Sequence, residues 1–463
     1  MEGRDSFAIV RDHYTHSGYP NVARYAFRIA PANWSRSPTV STVLQRIAKQ
    51  AVDSPTMVFQ TLAHHMTADF LREAFCRTRK TGAPGVDEVT AGDYALNLEK
   101  NLRDLHERLR SGRYKAPPVK RAWIAKEDGK QRPLGMPTLE DKVVQRAVHM
   151  LMSSIYEQDF HDFSWGFREG RSAHKAIHQL RESCNRMKIK WIIDADISGF
   201  FDNINHRMLV TMIRERINDG ALVRLIGKWL NAGVLEAGKL SYPEDGTPQG
   251  GVISPLLANI FLHNVLDQWF VRDVKPRMKG RCFLVRYADD FVIGFELESD
   301  ARRIMDILPK RFERFCLTIH PTKTRLVDFQ PPGKCSGDSA TFNFLGFTHY
   351  WGKSLSGNWV IKRKTSGKRY LRAKVSMWKW CKDERHTRMK DQYEVLCQKL
   401  RGHIQYYGIR GNYQMLEKFS RFTRTAWHYW LSRRSSESYI TWTKFENLLK
   451  KFPLPSPKII HKV

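Results

Sequence analysis

Asp289 and Asp290 stand side by side in the run Leu284-Val285-Arg286-Tyr287-Ala288-Asp289-Asp290-Phe291-Val292-Ile293-Gly294. Apolar, β-branched segments on both sides suit two strands, and strand geometry sends neighbouring side chains to opposite faces. The run therefore predicts a tight hairpin with acids at its tip. Two carboxylates this close repel each other unless a cation lies beside or between them. A metal-dependent site is the expectation.

The cysteines constrain what would hold that metal. Cys76, Cys184, Cys282, Cys316, Cys335, Cys381 and Cys397 are scattered singly, with no C-x-x-C pair and no matched histidine pair downstream. The pattern suits reduced, packed thiols and argues against a zinc ribbon or a disulfide framework, which leaves oxygen as the ligand. At 463 residues the chain can bury a large core and is expected to fold as two to four domains. No apolar run is long enough to span a bilayer, and the N-terminus lacks the pattern of a secretory signal. A cytoplasmic protein without a membrane partner is expected.

The formal net charge of +30 is distributed unevenly. From Trp351 to the end, 26 Lys plus Arg face 7 Asp plus Glu, and the same 113 residues hold seven of the thirteen tryptophans. Basic side chains neutralise phosphates and aromatic rings stack on bases, so this segment has the footprint of a nucleic-acid binder.

Residues 1–55 mix Pro31, Pro38 and Pro55 with Ser, Thr and aromatics and show no sustained period, so they read as an irregular extension. Residues 57–80 read as helical, and the turn-rich stretch Thr81-Gly82-Ala83-Pro84-Gly85-Val86-Asp87 ends them. Leu98, Leu102, Leu105 and Leu109 mark a further helix. Alternation after Tyr114 with a turn at Asp128-Gly129 predicts a hairpin, and Pro137-Thr138-Leu139-Glu140-Asp141 has the residues of a helix start. Next come a strand at Trp191–Asp196, a helix from about His206, a buried helix opened by Pro255, the aspartate hairpin, a helix, and a strand at Leu317–His320. Three helices near 368–382, 387–407 and 412–432 close the pattern.

Strand, helices, hairpin, helix and strand in that order describe an α+β fold with a split βαβ sheet backed by helices on one face. The end of the strand bearing Asp196 then lies beside the hairpin tip. Three carboxylates from two segments suffice to hold two partly hydrated Mg²⁺ ions, with Mn²⁺ as a possible substitute. Two such ions activate a 3′ hydroxyl and stabilise a pyrophosphate leaving group, which is nucleotidyl transfer.

Seven blocks in order carry a resemblance. They are Arg132-Pro133-Leu134-Gly135-Met136-Pro137, Trp165-Gly166-Phe167-Arg168-Glu169-Gly170-Arg171-Ser172, Asp196-Ile197-Ser198-Gly199-Phe200-Phe201-Asp202, Gly246-Thr247-Pro248-Gln249-Gly250-Gly251 leading into Ser254-Pro255-Leu256-Leu257-Ala258-Asn259, the hairpin itself, Pro321-Thr322-Lys323-Thr324, and Phe344-Leu345-Gly346-Phe347. In this order they resemble a group II intron-encoded reverse transcriptase/maturase of the bacterial type. The resemblance implies a right-hand polymerase with fingers over 56–190, a palm over 191–350 in which 220–250 joins the fingers, a thumb or maturase domain over 351–440, and a basic tail over 441–463. The tail has no metal-ligand spacing, so the nuclease domain of many relatives is expected to be missing.

Residue roles follow from the matching positions. Asp196 and Asp289 resemble the main metal ligands, Asp290 the third catalytic acid, and the carbonyl of Ile197 an additional ligand. Phe201 resembles the gate that rejects a ribose 2′ hydroxyl, although adjacent Phe200 competes for that place and only one of them can face the site. Gln249 resembles the contact to the incoming nucleotide, with Lys126, Arg132 and Lys323 as triphosphate clamps. Arg171 and Gly346 are candidate nucleic-acid contacts. So are Arg401, Tyr406, Tyr407 and Arg410, in and just after the stretch Leu400-Arg401-Gly402-His403-Ile404-Gln405-Tyr406-Tyr407-Gly408 that resembles the maturase thumb. His403 stands where the family usually has tryptophan.

The expected partners are an RNA template with its primer, a group II intron RNA and a DNA target. Three other readings use the same residues: a host-adopted relative in DNA repair or phage defence, a maturase acting mainly as a structural splicing cofactor, and, more remotely, an RNA-dependent RNA polymerase. The oligomeric state and the cognate RNA stay open.

Overall fold

The computed structural model describes residues 39–125, 131–236, 239–241, 250–333, 340–435 and 439–462. They fall into two compact units, one between Arg36 and Ala340 and one from Thr341 onward. The mixture of helices and strands makes the fold α+β. No helix among the described residues is long and apolar enough to cross a membrane.

The first unit opens with a helix where an irregular extension was expected. Helix α1 (Val40–Asp53) is capped by Thr39, whose hydroxyl accepts from the Thr42 amide. Its Val40, Val43, Leu44, Ile47 and Ala51 line one face against the core. The flanking Pro38 and Pro55 hid that period by making the whole stretch look like loop. The helix expected over 57–80 is shorter, because only α2 (Ala68–Arg77) is α-helical and Phe59 instead bridges to Ile217. Helices α3 (Ala91–Leu96) and α4 (Leu98–Arg110) follow.

Strands β1 (Val119–Ala125) and β2 (Gln131–Met136) pair antiparallel, with Ala125 opposite Gln131. Helix α5 (Leu139–Asp159) starts at the Thr138 cap with Glu140 and Asp141 in its first turn, where acids suit the helix dipole. Val143, Val144, Ala147, Val148 and Leu151 are fully buried along it, as their spacing predicts. Helix α6 (Ala173–Arg186) leads into β3 (Trp191–Ser198), then come α7 (His206–Arg214), α8 (Gly220–Leu230), β4 (Val234–Glu236) and β5 (Lys239–Ser241). Helix α9 (Ser254–Leu262) runs on through two π-helical turns, His263–Asp267 and Phe270–Val274.

Strands β6 (Cys282–Tyr287) and β7 (Asp290–Phe295), helix α10 (Glu298–Glu313) and strands β8 (Thr318–Ile319) and β9 (Arg325–Asp328) complete this unit. Its five-stranded sheet runs β6-β7-β3-β8, with β9 also on β3, and every pairing is antiparallel. Ile193, Ala195 and Ile197 of β3 join Phe291, Ile293 and Phe295 of β7 in the main core. Period 2 therefore puts Asp194, Asp196 and Asp290 on the other face.

The second unit begins with a three-stranded sheet, β10 (Phe342–Phe344), β11 (Phe347–Lys353) and β12 (Trp359–Thr365). A division at residue 350 would cut β11 in half. The boundary falls before β10 because, among the described residues, these strands pair only with one another. Helices α11 (Gly367–Asp383), α12 (Met389–Tyr407) and α13 (Tyr413–Leu431) match the three expected stretches. The expected basic tail is a packed element. Helix α14 (Trp442–Lys451) buries Phe445 completely against Trp427, and the segment after it pairs with Ile409 through His461. Lysines at 444, 450 and 451 masked the apolar spacing of Trp442, Phe445, Leu448 and Phe452.

Candidate active site

Register decides how the acids meet. Asp196 of β3 and Asp290 of β7 are direct cross-strand partners, and Tyr287 of β6 faces Asp290 on its other side. Paired residues share a face, so both carboxylates project from the side of the sheet away from the core. Asp289 occupies the two-residue turn between β6 and β7, and all three acids are half-buried. The turn is built on Ala288 at φ +57°, a left-handed conformation rare outside glycine. Next to the acids lies a cation of the chain's own: Lys323 places Nζ 2.8 Å from Asp196 Oδ2. One row along the same face, Arg325 pairs with Asp194 at 3.3 Å.

Two like charges opposed on one sheet face are unfavourable without a positive partner, and here every donor is a carboxylate oxygen. That set suits a hard divalent ion such as Mg²⁺. The side chains have not closed into a cage: among the described residues no group of three His, Cys, Asp or Glu stands close enough to hold a metal. Ile197 has its side chain in the core and pairs with Ile319, so only its backbone is available to the site.

A short turn follows Gly199, itself at φ +55°, and carries the two competing phenylalanines. Phe200 is 2% exposed and its ring lies 6.5 Å from that of Phe261, whereas Phe201 keeps 9% of its surface. Of the pair, Phe201 is the one nearer the surface.

Gly250, at φ +114°, approaches Gly135 so closely that a Cβ would collide with the Gly135 carbonyl. This joins two of the sequence blocks through backbone alone. Behind them Gln145 Oε1 accepts from the Val252 amide at 2.7 Å, and Gln145 Nε2 donates to Asp141 at 2.9 Å. Asp141 also receives the Tyr114 hydroxyl and the Trp229 indole N–H at 2.5 and 2.7 Å. Burial pushes its carboxyl up to about 6 despite those donors. Lys126 and Gln249 lie outside the described residues, as does the side chain of Arg132, whose backbone pairs with Ile124. Arg171 is held by Asp162 at 2.8 Å and stacks over Trp165.

In the second unit Gly346 (φ +79°) lies at the turn between β10 and β11. The Tyr406 hydroxyl donates to the Leu345 carbonyl at 2.9 Å, and both Tyr406 and Tyr407 pack on Phe347. These two rings support the turn, while Arg401 and Arg410 are exposed. His403 stacks on Phe419 at 4.0 Å, so it fills an aromatic slot.

Sequence reasoning overlooked Arg286. Its side chain is fully buried and forms a bidentate pair with Asp267, also fully buried, at 2.6 and 2.8 Å. The signal was present, since Arg286 shares its parity in β6 with core residues Cys282 and Leu284. An arginine at an inward position needs a buried acid.

Three buried histidines predict an acid response. Burial lowers His149 and His403 to about 4, and His349 to about 3, where neither ring nitrogen finds a hydrogen-bond partner. Each is neutral in the fold but takes a proton in the unfolded chain below about pH 6.5. Their stabilisation is complete above that pH and is lost as pH falls toward 4. Asp141 acts in the opposite sense between about pH 4 and 6, because the fold binds its proton more tightly; three histidines outweigh it. The melting temperature is expected to fall from pH 6.5 to 4, and His349→Phe to flatten part of that slope. A flat wild-type profile would contradict this.

The comparisons fit the geometry. Residues 124–349 match the family model described as Reverse transcriptase (RNA-dependent DNA polymerase), a span containing all three acids. The fold and site thus define a reverse transcriptase domain. Protein YkfC of Escherichia coli (strain K12) is 40% identical over 288 residues, which cover 55% of this chain and 75% of that protein. The group II intron-encoded protein LtrA of Lactococcus lactis subsp. cremoris is 37% identical over 245 residues, covering 52% of this chain and 40% of LtrA. An uncharacterized 91 kDa protein in the cob intron of Schizosaccharomyces pombe is 34% identical over 395 residues, covering 72% and 47%. This chain spans less than half the length of the latter two. It belongs to the group II intron-encoded reverse transcriptase/maturase family, whose enzymes are RNA-directed DNA polymerases.

Proposed function

We propose that this chain extends a primer on an RNA template with deoxynucleoside triphosphates, and that it binds a group II intron RNA whose splicing and mobility it assists. The observation that supports the polymerase most directly is the half-buried cross-strand pair Asp196 and Asp290, with Asp289 in the adjoining turn. In this reading the first unit supplies fingers and palm, and the second supplies the thumb. The protein works in the cytoplasm, on RNA and on a DNA target.

Asp196, Asp289 and Asp290 would hold two Mg²⁺ ions, which stabilise charge developing on the reacting phosphate. The chain's own residues do the positioning. Lys323, at the carboxylate of Asp196, offers positive charge to a triphosphate placed there. Lys126, Arg132 and Gln249 hold the nucleotide from the fingers. Phe201 packs against its sugar. The excess of basic residues after Trp351 tracks the phosphates of duplex and intron RNA, so affinity should fall steeply with salt.

Primer extension by the full chain on an RNA template, with dNTPs or NTPs and Mg²⁺, tests this reading. No Mg²⁺-dependent cDNA would overturn it. Phe201→Ala is expected to raise NTP incorporation relative to dNTP by roughly one to two orders of magnitude, the usual reach of a steric pocket. Unchanged discrimination would remove Phe201 from the site and leave Phe200 to be tested.

A further inference from the structure

Arg286 leads directly into Tyr287-Ala288-Asp289-Asp290, yet none of its side chain reaches solvent. All five N–H groups of its guanidinium find acceptors. Nε and Nη2 donate to the two oxygens of Asp267, and Nη2 also to Ser164 Oγ at 2.7 Å. Nη1 donates to Asn259 Oδ1 at 3.0 Å and to the carbonyl of Ala288 at 3.1 Å. The last of these is the backbone of the left-handed residue immediately before Asp289.

The same turn is pressed from another side. The Asn259 side-chain amide donates to the Gly166 carbonyl at 2.7 Å, and a Cβ on Gly166 would collide with the Ala288 amide. Ser164 and Trp165 bridge to Arg286 along the edge of β6. Three distant stretches of chain therefore converge on one peptide.

Stability does not explain this arrangement. A buried ion pair loses so much hydration that apolar residues of equal volume usually serve as well or better. An apolar side chain cannot hold the Ala288 carbonyl. A left-handed alanine costs about 1 kcal/mol or more and persists only where its surroundings fix it.

We propose that Arg286 is a positioning residue for nucleotidyl transfer: through the Ala288 carbonyl it fixes the turn that sets Asp289 against Asp196 and Asp290. The proposal rests on the polymerase reading above. Asp267, Asn259 and Ser164 fix the guanidinium, and Gly166 leaves the turn the room it occupies. Lysine at 286 keeps the charge but loses the planar fork, so it cannot serve Asp267 and Ala288 together.

The test uses the full chain with Arg286→Lys, Gly166→Ala and, as a control for lost stability alone, Leu151→Ala in the core of α5. Melting temperature, kcat, the KM for dNTP and the Mg²⁺ concentration giving half-maximal primer extension are measured for each. Arg286→Lys and Gly166→Ala should both raise that Mg²⁺ concentration about fivefold or more and lower kcat about tenfold or more, with KM for dNTP within about twofold. Leu151→Ala should lower the melting temperature without moving the Mg²⁺ midpoint. A wild-type midpoint in Arg286→Lys overturns the proposal, as does an equal shift in the control. If Arg286→Lys does not fold, Gly166→Ala decides in the same way. An inactive wild type sinks the polymerase reading itself, whereas an active wild type with unshifted variants sinks only this proposal.

Discussion

Asp289→Ala is expected to abolish Mg²⁺-dependent cDNA synthesis while the protein stays folded and keeps its hold on RNA. Asp289 sits half-buried in a turn next to Asp290, whose cross-strand partner is a third carboxylate, Asp196. Deleting one of three neighbouring negative charges relieves repulsion, so the melting temperature should stay level or rise slightly. Activity responds quite differently. Charge stabilisation of the kind a held divalent ion provides is worth several kcal/mol. At about 1.4 kcal/mol per tenfold in rate, losing a ligand, the role proposed for Asp289, removes on the order of a thousandfold. Primer extension beside thermal melting reads both effects. Splicing of the intron RNA should survive the substitution, because the basic surface proposed to bind it belongs to other residues. Loss of splicing together with cDNA synthesis would contradict that separation, and cDNA synthesis at wild-type rate would remove Asp289 from the chemistry.

Asp267→Ala is expected to cause the largest loss of stability. Asp267 and Arg286 have no exposed side-chain surface, and together they link the π-helical turn after α9 to the last residues of β6. The carboxylate is held below its ordinary range by the Arg286 charge acting against burial. Removing it leaves a guanidinium in the core without a counter-charge, which costs about 3–5 kcal/mol. Total stability of a folded domain is only about 5–15 kcal/mol. In a unit of this size the melting temperature should fall by roughly 5–8 °C. Asp267→Asn keeps an acceptor for one N–H and should lose less. Denaturant titration checks both, and an Asp267→Ala midpoint equal to wild type would show that the core tolerates the bare arginine.

Much of the fold was legible because it is local. The strand at Trp191 and the hairpin around Asp289 announce themselves by short apolar, β-branched runs, and α11, α12 and α13 end within two residues of where the apolar spacing puts them. Errors arose where composition and period disagreed. Prolines around α1 and lysines within α14 argued for loop and tail, but Ile47, Ala51 and Phe445 had a core to enter and tertiary burial outweighed local preference. Arg286 was missed for a related reason, since a single charge in an apolar strand looks like surface until its parity is counted.

By itself the sequence determined the residue types at the site, the α+β order of elements and the family, because these depend on short-range pattern and on the blocks' order. It fixed the acids but not their company. Only the tertiary structure decided that Asp196 opposes Asp290 rather than a neighbour, that Lys323 already lies on Asp196, that Phe200 lies deeper in the core than Phe201, and that Asp267 neutralises Arg286. The physical reason is the period of a strand. A slip of one residue would exchange every inward and outward side chain, and nothing within a strand chooses the register; the packing of α9, β3 and β6 does.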